Sequence, residues 1–292
     1  MLSVDVAQAE RWRSLRQQLQ QAEPDRRYQL LADEARRHRR ENVKLISEAG
    51  QGHIGGDMSV TDVLTVLYGL VLDVNPENHA WEERDRFILS KGHCAGALYT
   101  VLAWSGFFST AELGTFMDPL SALNGHPNRL KVPGVEANTG PLGHGLPIGV
   151  GVAHAARLTR KPYRVFVALG DGELQEGSNW EAFMSASHYG LDNLYAVVDR
   201  NRLQQGARTE DTNALDPLEN RLDSFGWEVR AVDGHDYTAL VDAFRPSTEG
   251  KPVAVVASTV KGKGISFMED DVAWHHKVPS QEQVAAALEE LA

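Results

Sequence analysis

The sequence predicts a doubly wound α/β fold, in which a mostly parallel sheet is covered by helices on both faces. Short apolar segments alternate with helical patterns along nearly the whole chain, as in folds built from parallel strands and crossover helices. The strand segments are nearly all apolar, which is typical of strands buried on both sides. With 292 residues, the chain is long enough for one large domain of this kind.

The N-terminal part of the chain is predicted to be helical. Residues 1–25 are rich in Gln, Arg and Glu, and they predict an amphipathic helix that lies outside the main domain. We expect that main domain to comprise residues 26–292. A second helix is expected from about Tyr28 to Ala49, because a glycine follows it directly.

A glycine-rich loop and a third helix are expected next. The stretch 50–57, "GQGHIGGD", predicts a loop, and the pair Ser59 and Asp62 predicts that Ser59 caps the next helix, with Asp62 at its third position. The apolar runs beyond it predict strands at 86–90, 163–170, 193–199, 228–232 and 252–260. Helical patterns between them predict helices at 94–105, 146–158, 177–190 and 236–245. The segment 117–143 shows neither pattern.

Composition limits the classes of function. The net charge of −11 argues against a nucleic-acid partner, since binding to a phosphate backbone requires clustered Lys and Arg side chains. The basic run 36–40 lies in a helical pattern and is interpreted as a solvated helix face. The sequence shows no signal peptide and no stretch of about 20 apolar residues, so a cytoplasmic protein without a membrane partner is expected. The single cysteine, Cys94, fits a reducing compartment and is interpreted as a buried thiol rather than a nucleophile paired with His93.

Two predicted strands end in polar side chains. "VALGDGELQEG" runs from an apolar strand through Gly170 into Asp171, and "NLYAVVDRN" ends in Asn201 about one helix later. Ligand sites of open parallel sheets lie beyond the carboxyl ends of the strands, so these side chains are expected to lie close together. Carboxylate and amide oxygens suit Mg²⁺, and the flanking glycines let backbone approach a phosphate. The two segments therefore predict a metal–diphosphate site.

Five segments in order resemble the transketolases, a family of thiamine-diphosphate enzymes, and the similarity extends from about residue 30 to residue 280. They are "AGQGHIGGDMSVTDVLTVLY", "RDRFILSKGHCAGALYTVL", "GHPNRLKVPGVEANTGPLGHGLPIGVGVA", "GDGELQEGSNWEA" with "VDRNRLQQGA", and "STVKGKGISFMEDDVAWHHKVP". The resemblance implies the diphosphate-binding domain of the thiamine-diphosphate fold. It also implies thiamine diphosphate and Mg²⁺ as cofactors, with Ca²⁺ or Mn²⁺ as possible substitutes for the magnesium.

The resemblance also implies roles for individual residues. Asp171, Asn201 and the carbonyl of Leu203 would bind the metal ion, so that Asn201 also belongs to the cofactor site. The remaining residues would contact the cofactor or the substrate: His93 and Gly172 at the diphosphate, Gly140, Pro141 and Leu142 at the aminopyrimidine, Glu176 at an interface between subunits, and His53, His126 and His275 around the thiazolium and the substrate hydroxyls. The sequence departs from the family in "GHIGG", and "HHK" leaves His275 and His276 as rivals for one position.

A complete transketolase is more than twice as long as this chain. The resemblance therefore implies the N-terminal subunit of a split enzyme, whose partner chain carries the pyrimidine-binding domain, in an A₂B₂ heterotetramer. Such an enzyme moves a two-carbon ketol unit from a ketose to an aldose, either of which can carry phosphate. The alternatives are a deoxyxylulose-phosphate synthase, the α subunit of a 2-oxo-acid dehydrogenase, a non-catalytic paralogue and a metal-dependent hydrolase. The last is disfavoured because the sequence has no HExxH spacing.

Overall fold

Five parallel strands form one sheet in the order β1-β2-β3-β5-β4. The computed structural model describes all residues from 1 to 292. The strands are β1 Arg86–Leu89, β2 Val165–Gly170, β3 Leu194–Arg200, β4 Glu228–Asp233 and β5 Val253–Ser258. Each strand lies within or close to a predicted apolar segment.

Helices cover both faces of this sheet. They are α1 Val6–Gln21, α2 Pro24–Ala49, α3 Ile54–Val66, α4 Ala95–Ser105, α5 Gly145–Thr159, α6 Gly177–His188, α7 Thr209–Thr212, α8 Leu218–Ser224, α9 Tyr237–Ala243 and α10 Gln281–Glu290. Helices α1–α4, α9 and α10 share one hydrophobic cluster with the sheet, and α5, α6 and α8 share a second. The prediction of a doubly wound α/β fold is confirmed.

The two clusters explain why the inner strands β2, β3 and β5 are almost wholly apolar, whereas the edge strand β4 carries Glu228 and Arg230. Along β3, Tyr195 and Val197 belong to the first cluster, whereas Leu194, Ala196 and Val198 belong to the second. Successive side chains of a strand point to opposite faces, so a strand covered on both faces needs an apolar residue at every position.

Helix α3 begins at Ile54 after the N-cap His53, six residues before the predicted cap Ser59. Gly55 and Gly56 lie in the helix, and only glycine fits there because neighbours come too close for a side chain: a Cβ on Gly56 would lie 2.7 Å from the Cys94 sulfur. Ser59 is therefore not a cap. Its hydroxyl lies inside the helix, 2.7 Å from Asp199. The prediction was wrong because a close helix contact and a flexible loop have the same glycine signature.

The N-terminal helix is packed against the domain. The buried residues of α1 are Ala9, Trp12 and Leu19, and Leu19 belongs to the first hydrophobic cluster. Helix α2 begins at Pro24 rather than near Tyr28, with the proline in the first turn, where its missing N–H costs nothing. The domain boundary at residue 25 stays a prediction, although α1 contributes to the common core.

One segment differs from the expectation that no stretch approaches a membrane span. Ile54–Val71, which comprises α3 and a π-helical turn, has the length and apolar composition of a spanning helix. Within the fold, 89% of that segment is buried. Packing between α2, α4 and the sheet therefore accounts for its composition.

Candidate active site

The tips of β2 and β3 meet at Asp171. Its Oδ1 accepts a hydrogen bond of 2.8 Å from the N–H of Gly172. Its Oδ2 accepts bonds of 2.7 Å from the N–H of Arg202 and 3.2 Å from the hydroxyl of Thr209. These bonds bring the loop after β3 onto the carboxylate that follows β2, as the position of both at the carboxyl edge of the sheet predicted.

Asp171 also faces a buried guanidinium. Arg200 donates a hydrogen bond of 3.1 Å to Asp171 Oδ2. It also donates to the carboxylates of Glu210 and Asp216, at 2.6 and 2.9 Å. Burial outweighs the attraction of Arg200 and raises the pKa of Asp171 above its ordinary value. The carboxylate is therefore buried and already shares one oxygen with a cation.

The other two predicted metal donors lie in the same loop. Asn201 Oδ1 accepts from the N–H of Leu203 at 3.1 Å, while its amide nitrogen donates to Asp199 and Ser59 at 3.2 and 3.3 Å. The carbonyl of Leu203 accepts a bond of 2.9 Å from Lys261 Nζ. The chain holds no group of three His, Cys, Asp or Glu suited to a metal. An ion here would depend on one carboxylate, one amide and one carbonyl oxygen, a small donor set that suits Mg²⁺ bound to phosphates and water.

Two buried lysines, which the sequence analysis missed, lie beside these donors. Lys91 forms a buried ion pair with Asp199. Lys261 contacts the Leu203 carbonyl and His275 Nδ1, the latter at 2.8 Å, and has no carboxylate partner. Burial, reinforced by the positive charge of Lys91, lowers the pKa of Lys261 to about 8. A buried ammonium group without a carboxylate partner favours an anionic ligand.

The sequence contained a signal for these lysines. Lys91 stands two residues after β1, and Lys261 stands three residues after β5. Both therefore follow apolar strands, like Asp171 and Asn201, and each precedes a glycine. The rule that ligand sites lie beyond the carboxyl ends of strands applies equally to cationic side chains.

Four histidines form a cluster next to Lys261. The His53 ring centroid lies 5.1 Å from that of His93, 5.5 Å from that of His275 and 4.6 Å from that of His276. His93 stacks on His275 at 5.7 Å. The structure thus brings His53 and His93 together with both candidates for the last histidine position, His275 and His276. Of these two, only His275 forms a hydrogen bond with Lys261.

The rings of His53, His93 and His275 are neutral at pH 7. Burial, with neighbouring histidines and lysines as a second cause, lowers the pKa of His53 to about 4 and that of His275 to about 3. The pKa of His93 also falls well below its ordinary value, mainly through burial. Because the Lys261 ammonium can only donate, His275 Nδ1 accepts and the His275 proton is on Nε2.

His126 approaches from the irregular segment. A Cβ on Gly140 would lie 3.6 Å from His126 Cδ2. The imidazole therefore covers the loop 140–142, which is predicted to contact the aminopyrimidine of the cofactor. The Tyr99 hydroxyl lies 2.9 Å from the carbonyl of Asn124 and 3.3 Å from that of His126, which fixes this segment on α4. Partial burial lowers the pKa of His126, although much of the residue remains accessible to solvent.

Glu173, which the sequence analysis also missed, joins three of the motifs. Its Oε1 accepts from the Ser90 hydroxyl and from the N–H of Gly143 at 3.0 Å. Its Oε2 accepts from the N–H of Gly170 at 3.0 Å. Gly143 has a φ of +81°, a conformation that favours glycine. Glu173 thus fixes the loop 140–143 relative to the loop 170–172.

The protein surface next to the loop 140–143 is exposed. Pro141 and Glu176 are exposed or nearly so, and Leu142 is half-buried. Glu176 precedes α6, but its side chain makes no capping hydrogen bond. A Cβ on Gly143 would lie 2.6 Å from the Glu176 Cβ, so Glu176 adjoins the aminopyrimidine loop.

Unpaired buried polar atoms show that the site fits a polar ligand. Thr139 Oγ1 and Gln204 Oε1 are buried without a hydrogen-bond partner. A Cβ on Gly92 would lie 2.5 Å from the first, and a Cβ on Gly172 would lie 3.1 Å from the second. Buried polar groups without partners are rare, and here they accompany two buried ammonium groups. The Thr139 hydroxyl and the ammonium groups are donors that fit a phosphate-bearing cofactor, whereas the Gln204 oxygen can only accept and requires a donor.

Comparison with known proteins decides the family. The family described as "Transketolase, thiamine diphosphate binding domain" matches residues 31–291. The chain belongs to the transketolase family. The match leaves only α1 and the first turns of α2 outside, and it includes every residue of the candidate site.

Transketolase relatives of similar length are named as subunits. One subunit of the apulose-4-phosphate transketolase of Actinobacillus succinogenes is 46% identical over 267 residues, which cover 90% of this chain and 96% of the relative. Its counterpart of the same name from Phocaeicola vulgatus is 43% identical over 260 residues, covering 88% and 92%. The chain thus corresponds to the thiamine-diphosphate-binding subunit of a two-chain transketolase.

A solved transketolase has the same fold. The transketolase of Campylobacter jejuni superimposes with a TM-score of 0.83 at 30% identity. The superposition covers 89% of this chain but 42% of that protein, so the chain spans about two fifths of a single-chain transketolase. The roles of the individual site residues stay predictions.

Proposed function

We propose that this chain, together with a separate chain that carries the pyrimidine-binding domain, transfers a two-carbon ketol unit from a ketose phosphate to an aldose phosphate. The observation that carries the proposal is the convergence of Asp171, Asn201 and the unpaired Lys261 ammonium at one edge of the sheet, next to the histidine cluster. This arrangement suits a metal-bound diphosphate beside groups that can hold a sugar.

The residues present can hold thiamine diphosphate and Mg²⁺. Asp171, Asn201 and the Leu203 carbonyl would bind the metal ion. The diphosphate would face His93, Gly172, Lys91 and Lys261, and the aminopyrimidine would lie against Gly140, Pro141 and Leu142. When bound, thiamine diphosphate supplies the nucleophilic carbon that protein side chains lack.

The histidines would bind the sugar and move protons. A neutral imidazole offers one N–H donor and one bare nitrogen, so it can hold a hydroxyl and take up or return its proton. His275 has Nδ1 committed to Lys261 and therefore offers its Nε2–H as a donor. His53 and His126 have no such commitment and can accept protons from substrate hydroxyls.

The assembly is the second part of the proposal. Glu176 and the exposed aminopyrimidine loop would form part of an interface in an A₂B₂ heterotetramer, since closed two-fold symmetry is the commonest arrangement of such oligomers. The relatives named for apulose 4-phosphate support a sugar phosphate as substrate. We place the assembled enzyme in the cytoplasm.

Reconstitution tests the proposal. The chain and its candidate partner are purified separately, and ketol transfer is measured for each chain and for the mixture with thiamine diphosphate and Mg²⁺. Only the mixture should be active, and light scattering should give the mass of two copies of each chain. The Asp171→Asn variant tests the metal site, because it keeps the side-chain size but removes the charge. It should lose activity at low Mg²⁺.

Three results would contradict the proposal. Ketol transfer by this chain alone, in a preparation shown to be free of any partner, would exclude a split enzyme. Full activity of the Asp171→Asn variant at low Mg²⁺ would exclude the metal assignment. A complex with one copy of each chain would exclude the tetramer even if the mixture were active.

A further inference from the structure

The imidazole of His235 is hydrogen-bonded at both nitrogens. Nδ1 lies 2.6 Å from Asp62 Oδ2, and the backbone N–H of Val260 donates to Nε2 over 2.9 Å. An amide N–H can only donate, so Nε2 carries no proton, and the proton of the neutral ring is on Nδ1. His235 thus donates to Asp62 on one side and accepts from Val260 on the other.

Asp62 is held firmly from its other side. Arg39 donates to both of its oxygens, at 3.0 and 2.6 Å, and the Tyr237 hydroxyl lies 2.6 Å from Oδ1. Burial disfavours the charged carboxylate, but Arg39 and the bond from His235 hold the pKa of Asp62 well below its usual range. Asp62 is therefore a fixed acceptor on α3 to which His235 is anchored.

The Val260 peptide immediately precedes Lys261. On the other side of Lys261, the N–H of Gly262 donates to the Gly55 carbonyl over 3.0 Å. The lysine is thus fixed by one backbone bond before it and one after it, and its Nζ points to the Leu203 carbonyl and His275. A side chain between two fixed peptides loses little orientational freedom when it binds a ligand.

We propose that His235 is a positioning residue of the cofactor site: with Asp62 it fixes the Val260 peptide and thereby the direction of the Lys261 side chain. This inference rests on the proposed function only in that Lys261 faces the diphosphate of the cofactor. His235 follows the edge strand β4 and makes no hydrogen bond to any residue assigned to the cofactor.

Two substitutions at His235 distinguish a positioning role of the side chain from a role in filling space. Leu fills similar space but offers neither a donor nor an acceptor, so His235→Leu releases the Val260 peptide. Gln has one donor and one acceptor about as far apart as the two ring nitrogens, so His235→Gln can restore both bonds. In the two-chain complex, calorimetric titration with thiamine diphosphate and Mg²⁺, and with inorganic pyrophosphate and Mg²⁺, should show roughly tenfold weaker binding for His235→Leu. Binding by His235→Gln should stay near wild type.

A double-mutant cycle tests whether His235 acts through Lys261. In the Lys261→Met background, His235→Leu should weaken pyrophosphate binding by less than about twofold, because the group that His235 positions is absent. Tyr237→Phe is the matched control, since it removes a bond to Asp62 that does not reach Val260. It should lower the denaturation midpoint without changing either affinity.

The outcomes distinguish this inference from the proposed function. Wild-type complex that binds neither thiamine diphosphate nor pyrophosphate would overturn the proposed function and, with it, the role of His235. Wild-type binding with an unchanged affinity of His235→Leu would overturn the positioning role alone. Equal losses from His235→Leu with and without Lys261, or failure of Gln to restore binding, would also overturn it, since His235 would then act only on general stability.

Discussion

The ammonium group of Lys261 donates a hydrogen bond of 2.9 Å to the carbonyl oxygen of Leu203, the oxygen that is also expected to bind the metal ion. A metal ion bound to this oxygen and the ammonium group would repel each other, and an anion between them would offset that repulsion. Binding of the metal and of the diphosphate should therefore be strongly coupled, each being weak without the other.

Replacing Lys261 should reveal this coupling. We expect Lys261→Met to weaken the binding of pyrophosphate in the presence of Mg²⁺ by roughly 10- to 100-fold, because a charge-assisted hydrogen bond is lost. Binding of Mg²⁺ alone should become tighter, because the competing cation is gone. Calorimetric titration of the complex with each ligand measures both effects.

Lys263→Met is the control for this experiment. Lys263 lies in the same loop, but it is partly exposed and lies 3.6 Å from Glu269, away from the site. Its replacement removes the same charge and should leave both affinities unchanged. Equal effects of the two substitutions would mean that only net charge matters, which would contradict a direct role of Lys261.

His126→Ala should lower turnover more than it lowers cofactor affinity. The imidazole covers Gly140 and remains partly accessible, which suits a contact with the substrate rather than with the diphosphate. Loss of one hydrogen bond to a developing charge should reduce kcat by roughly 10²–10³. Steady-state kinetics of the reconstituted enzyme, with the cofactor dissociation constant measured in parallel, provides the check. An unchanged kcat would exclude His126 from the substrate site.

Asp57 makes the stability of the protein depend on pH. The residue is buried on α3 and accepts a bond of 3.0 Å from the N–H of Ala97. Burial, which outweighs this bond and the charge of Lys91, raises the pKa of Asp57 from its ordinary value to about 7. A raised carboxyl pKa means that its contribution to stability is complete below about pH 4 and is lost as the pH rises to 7.

Asp57→Asn should remove that loss. At pH 8 the free energy of unfolding should rise by on the order of 2–4 kcal/mol, and at pH 4 it should change little. Urea unfolding at both pH values measures the change, with the exposed Asp192→Asn as control. A gain of equal size at pH 4 and pH 8 would show that Asp57 is not the titrating group.

The location of the strands along the chain followed from the sequence because burial on both faces leaves a local pattern. A strand such as β3 must be apolar at nearly every position, and that signal does not depend on what the strand packs against. Asp171 and Asn201 were found for the same reason, since each interrupts an apolar run at the edge where ligands bind.

Contacts between distant segments could not be read in this way. Glu173 joins Ser90 and Gly143, which lie 83 and 30 residues away in the chain, and nothing near Glu173 in the sequence points to those partners. The start of α3 was wrong for a related reason: Gly55 and Gly56 favour a loop locally, but the Trp274 carbonyl and the Cys94 sulfur leave room only for glycine in a helix there. Tertiary packing overrides local preference where two elements approach closely.

The sequence by itself determined the class of fold, the edge of the sheet that carries the site and the transketolase resemblance, because each depends on residue types in fixed local order. Only the tertiary structure decided that Lys261 is a buried cation without a carboxylate partner, and that His235 reaches Val260. Burial and pairing are properties of segments far apart in the chain: Lys261 meets Leu203 across 58 residues, and His235 meets Asp62 across 173. The energies of these buried charges depend on their distances and on the exclusion of water, and both exist only once the chain has folded.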